Sequence, residues 1–290
     1  MKEELVCGGS TTTYIKDAPQ VIKSDKMVYF SVSTKLHNVE DSDGNNVGFI
    51  HAFAVLTSKN ESFVYFVKNE GYGRRDNTFE DYALIKENIF PELVEIVNKH
   101  NLVKNNGRVH RTQGLPENFG GTVEIEYESG ERIYIEDNQS PFISSETGED
   151  IIKSFEKFLK AKHIVSQNIN TLKSIRFRED RKDGGFTDIL LELESDGTGK
   201  IKKQQRFDNP KIYESEKAAD TGKIEKIKNS IEKSGLLLWC DVPVKDSLFS
   251  KEKQLSFIFE NGEEITIKDD KRIPYALGNG FFDIELAMMY

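Results

Sequence analysis

Cysteine is scarce: Cys7 and Cys240 are the only two, too few for a disulfide framework. A reducing compartment fits, as does indifference to redox. No apolar run approaches the ~20 residues needed to cross a bilayer, so no membrane span is expected. The opening MKEELVC is too short and too acidic for the apolar region of a signal peptide. The expected location is therefore cytoplasmic. LVCGGS around Cys7 does look like the cleavage site of a bacterial lipoprotein, which leaves a trimmed lipoprotein as the alternative.

Motifs for bound groups are missing too. The five histidines, His37, His51, His100, His110 and His163, are scattered without HxxxH spacing, and there is no CxxC, so no metal site is read. GxxxxGK[ST], a GxGxxG after a strand and the GxSxG elbow are all absent, and no cofactor is expected. DSDGNN at 41–46 imitates a calcium loop. Placing Gly44 at the sixth position puts Val39 where the first carboxylate belongs, so a hairpin turn is expected instead. Cationic excess is lacking: Lys and Arg number 40 against 49 Asp and Glu, a net charge of −9, which argues against a nucleic-acid partner. The Lys-rich stretch over 200–233 reads as a solvated helix face.

What the chain does have is bulk and repetition. Nineteen Phe and ten Tyr supply a core, and 290 residues suit about two domains. Shifted by 132 residues, TVEIEYESGERIYIED (122–137) falls on QLSFIFENGEEITIKD (254–269). Val123, Ile125 and Tyr127 meet Leu255, Phe257 and Phe259, Ile133 and Ile135 meet Ile265 and Ile267, and Gly130 meets Gly262. Upstream, GFIHAFAVLTS (48–58) resembles GFTDILLELES (185–195). Each half reads as strand, strand, strand, helix, hairpin, helix. The expected helices are about 79–100 and 145–162 in the first half. In the second half they are about 214–234, with Gly235 as its stop, and a shorter one over FFDIELAMMY. Pro91 must kink the first of these or open a new turn.

The short polar turns favour antiparallel pairing. The predicted fold is α+β: two homologous modules over 25–163 and 164–290, each an antiparallel sheet with one or two covering helices, after a leader arm over 1–24. In ENGEE an Asn-Gly two-residue turn would put the apolar residues of the two strands on opposite faces. A three-residue turn, Glu260 to Gly262, pairs Phe257 with Ile265 and Leu255 with Ile267 instead. The first copy behaves alike, pairing Ile125 with Ile133 and Val123 with Ile135, with Arg132 opposite Glu126. Both hairpins are therefore predicted to close on three residues, with the glycine in the left-handed position.

The stretch from Asn106 to Ile152 combines a Gly-rich lead-in, the Ser-Gly hairpin, the Pro141-Phe142 region and a final helix. It resembles small domains of uncharacterised, duplicated-domain Firmicutes proteins. The resemblance implies the architecture and no activity.

Candidate chemistry is thin. EGYGRRD (70–76) offers Arg74 and Arg75, and GRVHR (107–111) adds Arg108, His110 and Arg111, residue types that favour phosphate or carboxylate. His51 lies in a strand apolar on both faces, a core histidine or, in the sharper reading, a base in a cleft. Cys240 follows LLLW as a small buried group. LPENFGG (115–121) has no counterpart in the second half, so the first half has the richer loops. The expectation is a non-enzymatic binding or interaction protein, its partner a protein or a small ligand held at the first module's loops or the groove between modules. The alternative is a small-molecule enzyme with His51 or His110 as base and Arg74, Arg75, Arg108 or Arg111 holding an anionic substrate.

Overall fold

A computed structural model describes residues 9–70, 78–113, 120–160, 168–207, 210–240, 242–243, 252–270 and 272–290. Two compact units result, one of residues 1–56 and 60–164 and one of residues 57–59 and 165–290. The first contains strands β1 (Gly9–Tyr14), β2 (Met27–Lys35), β3 (Phe49–Leu56), β4 (Ser62–Asn69) and β5 (Phe79–Ile85), helix α1 (Phe90–Lys99), strands β6 (Arg108–Gln113), β7 (Gly121–Tyr127) and β8 (Arg132–Asp137), and helix α2 (Ser145–Lys160). The second contains β9 (Leu172–Asp180), β10 (Phe186–Leu193), β11 (Gly199–Arg206), β12 (Ile212–Ala219), α3 (Thr221–Ser234), β13 (Glu252–Phe259), β14 (Glu264–Lys268) and α4 (Tyr275–Met289). The fold is α+β with two sheets in which antiparallel pairs dominate. No helix among the described residues is long and apolar enough to cross a membrane.

Register comes from one kind of turn. The Phe259 N–H donates to Glu263 O and the Gly262 N–H to Phe259 O, both at 2.9 Å, with Gly262 at φ +82°. Phe257 therefore opposes Ile265 and Leu255 opposes Ile267, the pairing expected of a three-residue loop. Between β7 and β8 the same bonds join Tyr127 to Glu131 and Gly130 to Tyr127, with Gly130 at φ +84° and Ile125 opposite Ile133. The pattern recurs at Gly44, Gly184 and Gly197, so DSDGNN is a turn of this family. The middle loop residue braces several of them: the side-chain oxygens of Asp183, Asp196 and Asn261 each accept the backbone N–H two residues on, at 2.8–2.9 Å. Such Asx turns explain why Asp or Asn precedes the glycine.

Alternation then does the packing. In the first unit Phe30, Val32, Ala52, Ala54, Val64, Phe66, Ile125 and Ile133 point to one face and are buried with Ile151, Ile152, Phe155 and Leu159 of α2 and Leu93 and Val97 of α1. Phe155 has its ring 5.9 Å from Phe30 and 5.5 Å from Phe66. In the second unit Ile175, Phe177, Ile189, Leu191, Ile201, Leu255, Phe257 and Ile267 are buried, as are Ile224, Ile227 and Ile231 of α3 and Leu277, Ile284 and Met288 of α4.

Read from one edge, the first sheet runs β5-β4-β3-β2-β7-β8 and then adds β6 and β1. The second runs β12-β11-β10-β9-β13-β14. Phe30 lies between Ala54 and Ile125, and Ile175 lies between Leu191 and Phe257. Six strands of each sheet therefore follow the same order, and the β7–β8 and β13–β14 hairpins keep the 132-residue offset read from the sequence.

Three expectations need correction. Residues 79–85 form β5, paired along its length with β4, and α1 begins only at Phe90 with Pro91 in its first turn. Ile85 and Ile89 satisfy helical spacing, but pairing with β4 gives the backbone its partners before any helix is needed. Residues 212–219 likewise form strand β12, and α3 starts after Asp220, whose carboxylate accepts the Lys223 N–H at 2.8 Å. The last helix, of 15 residues, is almost as long as α2, of 16, rather than shorter.

The segment read as a leader arm is also tied down: β1 pairs with β6, the Asn106 amide donates to Pro19 O at 2.8 Å, and Glu131 accepts the Lys23 and Ser24 N–H groups at 2.9 and 3.0 Å.

A Cβ at Gly130 or Gly262 would meet nothing within 4 Å, so the requirement is conformational rather than steric. Asn60, at φ +62° between β3 and β4, stands where Gly197 stands between β10 and β11. Gly130→Ala is expected to cost about 1–2 kcal/mol, with Gly130→Asn costing less. Urea unfolding of both variants measures this, and equal losses would contradict it.

Candidate functional site

Strand β6 gathers three of the residues singled out in the sequence. Arg108 Nη2 donates to Asp137 Oδ2 at 3.2 Å, and the other oxygen of that buried carboxylate accepts the Gln139 and Ser140 N–H groups at 2.9 and 2.8 Å. Arg111 grips Glu136 through Nε and Nη2 at 3.0 and 3.2 Å, and the Tyr134 hydroxyl donates to the same carboxylate at 2.6 Å. Burial pushes Glu136 up, but the Arg111 and Tyr134 hydrogen bonds outweigh it and hold its pKa below the ordinary value. His110 Nδ1 lies 2.7 Å from Thr12 Oγ1 on β1. Both arginines thus already carry a carboxylate. Strand alternation sets Arg108 and His110 on one face and Arg111 on the other.

His51 stands apart. Its ring meets Tyr65 edge-on at 5.6 Å. Part of its surface stays accessible, yet protein packs closely enough around it that burial pushes its pKa down to about 4. Between β3 and β6 the sheet order inserts β2, β7 and β8. Four strand spacings separate His51 from β6, about 19 Å. His51 and the β6 residues do not meet at one reacting centre. Arg74, Arg75 and most of LPENFGG lie outside the described residues.

A hollow of about 390 Å³ is lined by Asp41, Asp43, Asn45, Lys68, Glu70 and Phe79, among others. Its cation is the protein's own: Lys68 Nζ sits 2.7 Å from Asp41 and 2.5 Å from Glu156 of α2. Burial pushes Asp41 up, but Lys68 and the Asn45 and Asp43 backbone amides prevail and bring its pKa to about 2. Among the described residues no group of three or more His, Cys, Asp or Glu is arranged to hold a metal.

The feature that the sequence reading missed is an edge. Among the described residues each sheet has two ends: β1 and β5 in the first, β12 and β14 in the second. Edge strands invite further pairing, and proteins commonly guard them with charge. Glu80 and Asp81 lie on β5, Glu214, Glu216 and Lys217 on β12, and Glu264 and Lys268 on β14. β1 is GSTTTY, exposed at every residue, with no charge and no proline. Its signal was there to read: three consecutive β-branched threonines in a chain with 31% charged residues.

No protein-family model matches the chain, and comparison with curated proteins gives no match.

His51 is expected to be neutral at pH 7 and to titrate near 4 in the folded protein. Its folded pKa lies below its unfolded value. Its contribution to stability is therefore complete above about pH 6.5 and is lost as the pH falls towards 4. Asp41, also depressed, adds its own loss between about pH 4 and 2. NMR titration of the imidazole checks the first step, where a pKa near 6.5 would contradict the account. His51→Phe should flatten the stability curve between those two limits.

Proposed function

We propose that the protein is a non-enzymatic binding protein, built on a duplicated α+β module, which takes up an extended segment of a protein partner along β1. The uncharged, fully exposed edge carries this reading. An added strand would satisfy the outward row of backbone N–H and C=O groups, and its side chains would lie beside those of β1. Tyr14 and Ile15, 73% and 47% exposed at the end of that strand, offer apolar anchorage. The β1–β6 extension is also where the units differ, since among the described residues the second sheet stops at β14, the equivalent of β8.

Duplication is supported by the repeated strand order, the matching registers and the 132-residue offset of the hairpins. Divergence then separated the faces away from the helices. Tyr29, His51, Phe53 and Tyr65 in the first unit correspond by register to Ser174, Asp188, Leu190 and Lys202 in the second. The enzyme alternative draws no support from pairing His51 with β6, because a base and an anion holder about 19 Å apart cannot share a substrate atom; with His110 as base, the arginine on its face, Arg108, is already held by Asp137.

Panning the full chain against a library of extended peptides tests the reading. Selected peptides are expected to shift the amide resonances of β1 and β6. The exposed pair Thr11→Lys and Thr13→Lys should weaken their binding roughly tenfold by charging the edge. Peptides whose binding ignores both lysines, or turnover of a generic substrate panel, would overturn it.

A further inference from the structure

Among the described residues the second unit's sheet ends at β14, on residues that the β1 reading does not use. In the first unit the equivalent edge, β8, is covered: Val109 and His110 of β6 lie beside Glu136 and Asp137. This edge of the scaffold therefore accommodates another strand. On β14, the end of the second sheet among the described residues, the sequence is Glu264-Ile265-Thr266-Ile267-Lys268. Rotated about Thr266, it is its own antiparallel complement. Glu264 meets Lys268, Ile265 meets Ile267 and Thr266 meets itself.

Opposed residues of an antiparallel pair share a face. The isoleucines, 8% and 1% exposed, would thus extend the buried face across the join. The opposite face would carry two Glu–Lys ion pairs flanking a Thr–Thr contact, all favourable cross-strand pairs. Those charges are available. Both residues are exposed, and among the described residues Lys268 has no ion pair, while the Glu264 carboxylate takes a 3.3 Å bond from Thr266 of its own strand and feels the charge of Arg176, which Asp188 already holds. The other end of this sheet lacks the property, because rotating β12 about Ser215 sets Glu214 against Glu216.

We propose that a second copy of this chain docks on β14, the two strands running antiparallel about a two-fold axis at Thr266 and joining the two sheets into one. A five-residue edge falls short of the ~800 Å² per partner of a standard interface, so the dimer is weak and reversible.

Sedimentation equilibrium of the full chain, from about 10 μM to about 1 mM, tests this. The wild-type chain is expected to dimerise across that range. Glu264→Lys sets Lys against Lys, and Lys268→Glu sets Glu against Glu. Each is expected to weaken association roughly tenfold. The double exchange, Glu264→Lys with Lys268→Glu, recreates both ion pairs and should restore it. Circular dichroism of each variant should match the wild type, since both positions are exposed. A wild-type chain that stays monomeric throughout would overturn the proposal. So would a dimer indifferent to single reversal, including one formed through β1, or a double exchange that restores nothing.

Discussion

A residue held at positive φ at the end of a three-residue loop governs this architecture. With one residue fewer in the loop between β13 and β14, Phe257 and Ile265 would face opposite sides of the sheet. With Gly262 in the left-handed region they face the same side. The same device at Gly44, Gly130, Gly184 and Gly197 places successive strands so that one face of each sheet is apolar. The helices then have a surface on which to fold. Phe155 between Phe30 and Phe66 is buried because register has already aligned those two rings.

Both units add a polar clamp to that apolar layer, from positions that do not correspond. In the first, Lys68 of β4 reaches Glu156 of α2. In the second, Lys253 of β13 reaches Glu285 of α4 through both carboxylate oxygens, at 2.7 and 2.9 Å. A buried lysine costs free energy unless it meets carboxylates, and each of these does. Such clamps fix how the last helix sits more than they add stability. Charge elsewhere on the sheets is also mostly spoken for: Arg111 holds Glu136, Arg176 holds Asp188 and Lys202 holds Glu192. Against that background, an exposed edge strand with no charge at all is the anomaly, and the functional reading rests on it.

The hairpins were legible because two constraints coincide there. Period-two alternation gives the faces, and a glycine marks the bulged turn. The stop of α3 at Gly235, φ +64°, was legible for a similar local reason. β5 and β12 were not. Both are edge strands, and the polar residues that guard an edge blur the alternation that would announce a strand. Ile85 and Ile89 then lent themselves to a helical period. β1 was hidden differently, because a Thr-rich run has no apolar face to reveal its partner 94 to 104 residues away. Of the candidate site, the sequence supplied the β6 residues. It could not supply their partners, because Glu136 and Thr12 become neighbours of Arg111 and His110 only through long-range pairing.

The central claim is that β1 is an open edge, bonded on one side only. Residue-by-residue amide hydrogen exchange in the folded chain tests it most directly. Amides of β1 that bond to β6 should be protected, while the alternate amides between them exchange nearly as fast as in an unfolded chain. Uniform protection along Gly9–Tyr14 would contradict the account, because it would mean that the outward row is already occupied.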